Sequence, residues 1–255
     1  MRKPIIAGNW KMFKTAAETR AFVKDFKSRV GSPRHCDIVL CAPFTALWAL
    51  AEELKGSTIQ AGAQNAHWEE KGAFTGEISV GMLKEIGIHY VVIGHSERRQ
   101  YFGETDATVN KRTLAMLAAG LTPITCIGET LREREAGQTF QVLERQIGEG
   151  LKDLPSPTSV VIAYEPVWAI GTGKTATPAQ AEEAHAFIRK ELARHYGDAA
   201  AQAVRILYGG SVKPDNMATL MKEKDIDGGL VGGASLEADS FAKIVFYDRD
   251  PVPSK

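Results

Sequence analysis

Val160-Val161-Ile162-Ala163-Tyr164-Glu165-Pro166-Val167-Trp168-Ala169-Ile170-Gly171-Thr172-Gly173-Lys174 reads as a strand followed by a loop with its own apolar body and a glycine hinge. The β-branched run ends in a carboxylate, and proline follows at once. Proline confines the residue before it to extended backbone, which places Glu165 at the last position of a strand, projecting from its C-terminal edge. Thr177-Pro178, with Gln180 three residues after the threonine, then marks a helix start through a capping box and a proline at the first helical position. A charged group on a strand end, under a loop of bulky apolar residues closed by Gly-Thr-Gly, reads as a base beneath a lid over 166–174.

The same unit recurs along the chain. Strands are predicted over 4–9, 37–42, 58–62, 90–94, 121–126, 159–165, 204–208 and 228–231. Their cores, such as Val91-Val92-Ile93, are apolar on consecutive residues, the pattern of strands covered on both faces. Amphipathic helical stretches lie between them. Phe140, Leu143, Ile147 and Leu151 share one stripe, and Ala181, Ala184, Ile188 and Leu192 another. About eight βα units fit a closed (β/α)₈ barrel, an α/β fold in a single domain over 1–255. A doubly wound open sheet is the competing architecture, since periodicity alone does not show closure. The tail at 248–255 follows the last helix and is expected to be disordered.

The 255 residues hold 31 Lys and Arg against 31 Asp and Glu. With no net field, neither nucleic acid nor an anionic membrane is an expected partner, and any anion must be held by local groups. No run approaches the ~20 apolar residues of a membrane span, and the apolar stretch after Met1-Arg2-Lys3 is too short for a signal peptide. Cys36, Cys41 and Cys126 form no Cys-x-x-Cys pair, so a reduced, cytoplasmic protein is expected.

Polar and glycine-rich segments cluster after the predicted strands, and each has a bland reading beside a functional one. Glu165 is a base or a strand-end salt-bridge partner. His95 ends the run Tyr90-Val91-Val92-Ile93-Gly94 and precedes a helix start for which Ser96 is the expected N-cap. The positive end of that helix should depress the imidazole pKa and favour the neutral ring, which can donate a hydrogen bond to a carbonyl. No histidine pair has metal-ligand spacing, so no metal site is expected. Lys11, in Asn9-Trp10-Lys11, can neutralise an anion, form a Schiff base or point to water; Trp10 is expected to pack. Glu97 pairs with a nearby cation or shuttles protons, and Cys126 is expected to be a small buried filler. Gly171-Thr172-Gly173, Gly209-Gly210-Ser211 and Gly232-Gly233 can each present unobstructed backbone N–H groups to a phosphate, the last two just before helices. Gly173-Lys174-Thr175 imitates the end of a P-loop, but Trp168 stands where its first glycine is required. These residues leave three functions open: a cofactor-free sugar-phosphate isomerase, a Schiff-base aldolase acting through Lys11, and a non-catalytic phosphate-binding barrel.

Asn9-Trp10-Lys11-Met12, Ala63-Gln64-Asn65, Gly94-His95-Ser96-Glu97-Arg98-Arg99, residues 163–174, Tyr208-Gly209-Gly210-Ser211-Val212 and Val231-Gly232-Gly233-Ala234-Ser235 together resemble the triosephosphate isomerase family, a standard example of lid closure. The likeness runs from about residue 4 to 246. It implies a TIM barrel that interconverts dihydroxyacetone phosphate and D-glyceraldehyde 3-phosphate, in glycolysis and gluconeogenesis, without cofactor or metal. It further implies Glu165 as the base, His95 as the neutral electrophile, and Lys11 with Asn9 stabilising the enediolate. Gly171, Ser211, Gly232 and Gly233 would hold the phosphate, and 166–174 would close, meeting Tyr208 and Ser211. A homodimer is implied in which the loop over 64–77, with Gln64, Asn65 and Thr75, inserts into the neighbour towards its Lys11.

Overall fold

The structure is a computed structural model that describes residues 2–248. Eight parallel strands, β1 (Ile5–Asn9), β2 (Asp37–Ala42), β3 (Gln60–Ala63), β4 (Tyr90–Ile93), β5 (Thr122–Ile127), β6 (Val161–Tyr164), β7 (Arg205–Tyr208) and β8 (Gly228–Val231), pair in sequence order. β8 pairs back onto β1 in the register Ile5↔Gly228 to Gly8↔Val231, so the sheet is a closed barrel. The open-sheet alternative is excluded, and the chain is a single-domain TIM barrel. The residues expected to form a tail, 248–255, lie outside the described residues except for Asp248. None of the described helices is long and apolar enough to cross a membrane.

Consecutive apolar residues reflect two cores. Ile5, Ala7, Val161 and Ala163 fill the barrel interior, while Ile6, Ile162 and Tyr164 pack outward against the helices. Side chains alternate across a strand, so the interior register of β6 runs 161, 163, 165 and that of β1 runs 5, 7, 9. Glu165 and Asn9 therefore continue interior rows at the C-terminal mouth, where the loops after the strands gather. Leu143, Ile147 and Leu151 are buried as expected, as is the whole stripe from Ala181 to Leu192; Phe140 remains partly exposed.

β1, β5 and β7 differ from the sequence reading by one residue at one end or both, and β3, β4 and β6 differ for identifiable reasons. The third strand is Gln60–Ala63 rather than 58–62, because pairing to β2 begins only at Val39↔Gln60. β6 ends at Tyr164, leaving Glu165 one residue beyond it. The Glu165 N–H still donates to Ile127 O at 2.7 Å, but Pro166 has no N–H to extend the ladder. β4 stops at Ile93 because Gly94 turns left-handed, with φ +68.

Closure depends on backbone proximity at the β8–β1 seam. Gly228 has φ +134, and a Cβ there would stand 1.9 Å from Ile5 O. Gly228→Ala is therefore expected to lower the urea unfolding midpoint by the equivalent of at least about 2 kcal/mol; an unchanged midpoint would show that the seam can open to admit a methyl group.

Candidate active site

Glu165 is only 2% exposed, and its two carboxylate oxygens are held by one short segment. Oε1 lies 3.0 Å from His95 Nε2, and Oε2 accepts the Ser96 backbone N–H at 2.9 Å. Gly94 makes this possible. Its left-handed backbone breaks the alternation of β4 and turns residues 95 and 96 towards β6. On the other side, a Cβ at Gly128 would stand 1.8 Å from Glu165 O, and one at Gly209 would stand 2.8 Å from its Cγ. Burial raises the Glu165 pKa, but the His95 imidazole, the Ser96 N–H and Lys11 outweigh it and hold the carboxyl below its ordinary range.

His95, not Ser96, caps the helix Ser96–Tyr101. Its Nδ1 accepts the Glu97 N–H at 3.2 Å. That bond requires an unprotonated Nδ1 and leaves the ring proton of the neutral tautomer on Nε2, facing Glu165. The expected depression of the imidazole pKa is corrected here. Burial does pull it down, but the carboxylates of Glu165 and Glu97 more than compensate, so it lies above its ordinary value in this arrangement.

Lys11 stands beyond β1 with φ +51; its N–H donates to Asn9 Oδ1 at 3.1 Å, and its Nζ lies 2.6 Å from Glu97 Oε1. Gln64 fixes this turn by donating from Nε2 to Lys11 O at 2.9 Å and to Cys41 O at 3.0 Å. Trp10 packs fully buried, as expected. Asn9, Lys11, His95, Glu165, Gly171, Ser211, Gly232 and Gly233 all line one cavity of about 420 Å³. A larger hollow of about 580 Å³ lies behind Glu165, against Arg99, Asp106 and Gln146. It has neither Lys11 nor the glycine amides, so the convergence of charge and donors belongs to the smaller one. Gly233 opens a 3₁₀ turn, Gly233–Ser235, whereas Ser211 does not directly precede a helix: the next begins at Met217. Among the described residues, no cluster of His, Cys, Asp and Glu suited to a metal is present.

The expected lid begins with a 3₁₀ turn, Val167–Ala169, and continues through left-handed Gly171 and Gly173 in the exposed stretch 171–175. Trp168 Nε1 donates to Glu129 Oε1 at 2.8 Å, Tyr164 OH donates to the same carboxylate, and the Arg134 guanidinium lies 5.0 Å over the Trp168 ring. Tyr208 is buried beside the Ala176 backbone, and its hydroxyl has no well-formed hydrogen bond. Cys126 is buried and free, with burial and then the Glu165 carboxylate pushing its thiol pKa up. Asn65 is buried, while Thr75 lies in the exposed stretch 69–77, away from this chain's own cavity. Sequence reading missed Glu129, which anchors the loop over 166–174 through Trp168, and the Ser96 N–H. Glu129 lies two residues beyond β5, in the outward register of Ile127, whereas Glu165 lies one residue beyond β6 in the inward one.

A model of the family described as "Triosephosphate isomerase" matches residues 4–247. The chain is 59% identical over 251 residues to a triosephosphate isomerase of Endomicrobium trichonymphae, covering 98% of this chain and 100% of the relative. It is 60% identical, with the same coverage, to one of Moorella thermoacetica, and 57% identical to one of Solibacter usitatus over 97% of this chain and 100% of the relative.

Behind the mouth, His185 lies between two tyrosines that flank the site. Its ring centroid is 5.7 Å from that of Tyr164 and 6.4 Å from that of Tyr208. Nδ1 donates to Asp225 O at 3.1 Å, and Nε2 is buried without a partner. Burial lowers its pKa from 6.5 to about 4. The unfolded chain therefore takes up this proton more readily than the folded one. The contribution is intact above pH 6.5 and is lost as the pH falls through the window down to about 4, amounting to roughly 3 kcal/mol. Urea titrations from pH 7 to pH 4 should show this loss in the wild type and a flatter profile in His185→Gln; parallel profiles would remove His185 as the cause.

Proposed function

The chain belongs to the triosephosphate isomerase family, and we propose that it carries out the family's proton transfer with Glu165 as base, His95 as electrophile and Lys11 as fixed charge. The enzyme interconverts dihydroxyacetone phosphate and D-glyceraldehyde 3-phosphate in glycolysis. The observation that carries the residue assignment is the 3.0 Å contact between Glu165 and His95 Nε2 in a cavity that also holds Lys11 and the glycine amides.

The substrate carbonyl oxygen takes over the Nε2–H that now faces Glu165. The carboxylate leaves the Ser96 N–H and removes a proton from C1. The electron pair of that C–H bond forms the C1–C2 double bond of an enediolate, and negative charge develops on the former carbonyl oxygen. The imidazole donates to that oxygen, with Lys11 and Asn9 beside it. By way of His95 the C1 hydroxyl proton passes to the C2 oxygen; return of the carbon proton to C2, as the C1–C2 double bond gives way to a C1 carbonyl, yields the aldose, so the reaction is balanced without cofactor or metal. Backbone amides at Gly171, Ser211, Gly232 and Gly233 hold the phosphate. The lid over 166–174 then converts remote binding energy into exclusion of water, meeting Tyr208 and Ser211 when shut.

Glu97 serves as the resting partner of Lys11, and Cys126 fills space behind the base. Glu165→Gln is expected to lower kcat at least ~10²-fold in a protein that stays folded. Hydrogen exchange into the substrate in heavy water should fall in parallel; near-normal turnover would remove the base assignment.

The working form we propose is a cytoplasmic homodimer. Cys36, Cys41 and Cys126 are all free thiols, the state that a reducing compartment maintains. Met12 is 93% exposed and Phe102 67%, and both line a hollow that also reaches Lys11 and His95. Apolar surface in that position fits the partner's exposed 69–77 stretch, with Thr75 near its tip. Sedimentation should give twice the mass of one chain at assay concentration; a fully active monomer would exclude the dimer.

A further inference from the structure

Lys14 has no part in the reaction set out above, yet its placement is costly. It stands in the turn between Lys11 and the helix Ala16–Val30 with φ +74, left-handed backbone that costs a non-glycine residue about 1–2 kcal/mol. Glycine or asparagine would adopt this conformation with less strain. What lysine adds is reach. Its Nζ lies 4.6 Å from the centroid of Phe22 and 5.4 Å from that of Trp10, and it donates to Leu236 O at 2.8 Å. Burial lowers its pKa, while the nearby Glu237 and Glu18 carboxylates favour the ammonium.

Leu236 closes the turn that begins with Gly232 and Gly233. Trp10 Nε1 donates to the preceding carbonyl, Ser235 O, at 3.1 Å, and Ser235 Oγ donates to Gly232 O at 2.7 Å. Two successive carbonyls of the turn are thus held by side chains that flank Lys11 in sequence. Gly232 is in turn adjacent to Lys11: an added Cβ there would stand 3.6 Å from Lys11 Cε. The glycine amides and the Lys11 ammonium are held together as one unit, although one belongs to the loop after β8 and the other to the loop after β1.

We propose that Lys14 is a positioning residue for the phosphate end of the site, its ammonium fixing the 232–236 turn against the Lys11 loop so that amides and lysine meet the dianion together. The inference rests on the phosphate site proposed above and extends it to a residue outside the cavity. Holding both loops in register improves binding of the phosphate in ground and transition states alike, so loss of Lys14 should appear in KM rather than kcat.

The test uses inorganic phosphate as a competitive inhibitor of the full-length enzyme, with Lys14→Met, Lys14→Gly and Lys14→Arg beside the wild type. Methionine and glycine should each weaken phosphate inhibition and raise KM about tenfold, with kcat changed less than about threefold; arginine should recover most of the loss. Glycine relaxes the backbone while removing the ammonium, so a native-like Lys14→Gly beside an impaired Lys14→Met would assign the effect to backbone strain and overturn the proposal. Unchanged phosphate inhibition in folded Lys14→Met would also overturn it. Absence of competitive phosphate inhibition in the wild type would instead remove the phosphate site itself.

Discussion

An ionised carboxylate loses several kcal/mol of hydration on burial unless directed donors replace the water. Glu165 sits 2% exposed at the barrel mouth, and its replacements come from a different strand: the imidazole and the amide that follow β4. That requirement propagates. Gly94 must turn left-handed so that His95 and Ser96 can face β6. Gly128 after β5 must lack a side chain because Glu165 O lies where its Cβ would be, and Gly209 after β7 must leave room for the Glu165 side chain. The ends of four adjacent strands are therefore arranged around one carboxylate.

The same carboxylate is covalently continuous with the loop over 166–174. Pro166 follows it directly, and Trp168 is tied by its indole N–H to Glu129, which also receives the Tyr164 hydroxyl. Any movement of that loop therefore moves the backbone that carries Glu165. The N-terminal part of the loop is anchored by specific bonds, whereas 171–175 is exposed and contains two left-handed glycines. A segment that is fixed at one end and free at the other can trade one set of bonds for another without leaving buried polar groups unmet throughout. The Tyr208 hydroxyl, buried without a well-formed bond, is one such unmet group in the present arrangement.

Much of this was legible because side-chain alternation is a local property. Val161, Ala163 and Glu165 share one register, so a buried strand ending in a carboxylate already indicates where that carboxylate goes. Consecutive apolar residues signalled two cores for the same reason. What escaped was set by tertiary geometry. Ser96 is the commoner cap type, but Gly94 rotates the chain so that the ring of His95 reaches the Glu97 N–H first and the Ser96 amide is left for Glu165. The direction of the His95 pKa was misjudged because a helix terminus is visible in sequence, whereas the contact with Glu165, on a different strand, is not. Glu129 precedes a capping box formed by Thr130 and Glu133, and a helix start of that kind carries no sign of the bonds Glu129 makes to Tyr164 and Trp168.

A chain with equal numbers of acidic and basic residues must still accommodate a phosphate dianion. A cluster of arginines would bind it tightly and hold it equally well as substrate and as product, slowing release. Backbone amides on the loops after β7 and β8 have no charge to neutralise when the site is empty and need only be oriented. Of the two lysines that line the cavity, Lys11 and Lys213, the first is balanced at rest by Glu97 at 2.6 Å, in a pair that is part-exposed and therefore weak. In the proposed reaction, substrate therefore breaks no buried ion pair to recruit Lys11. The orientation of these groups then depends on the bonds by which Trp10 and Lys14 hold the 232–236 turn against the Lys11 loop.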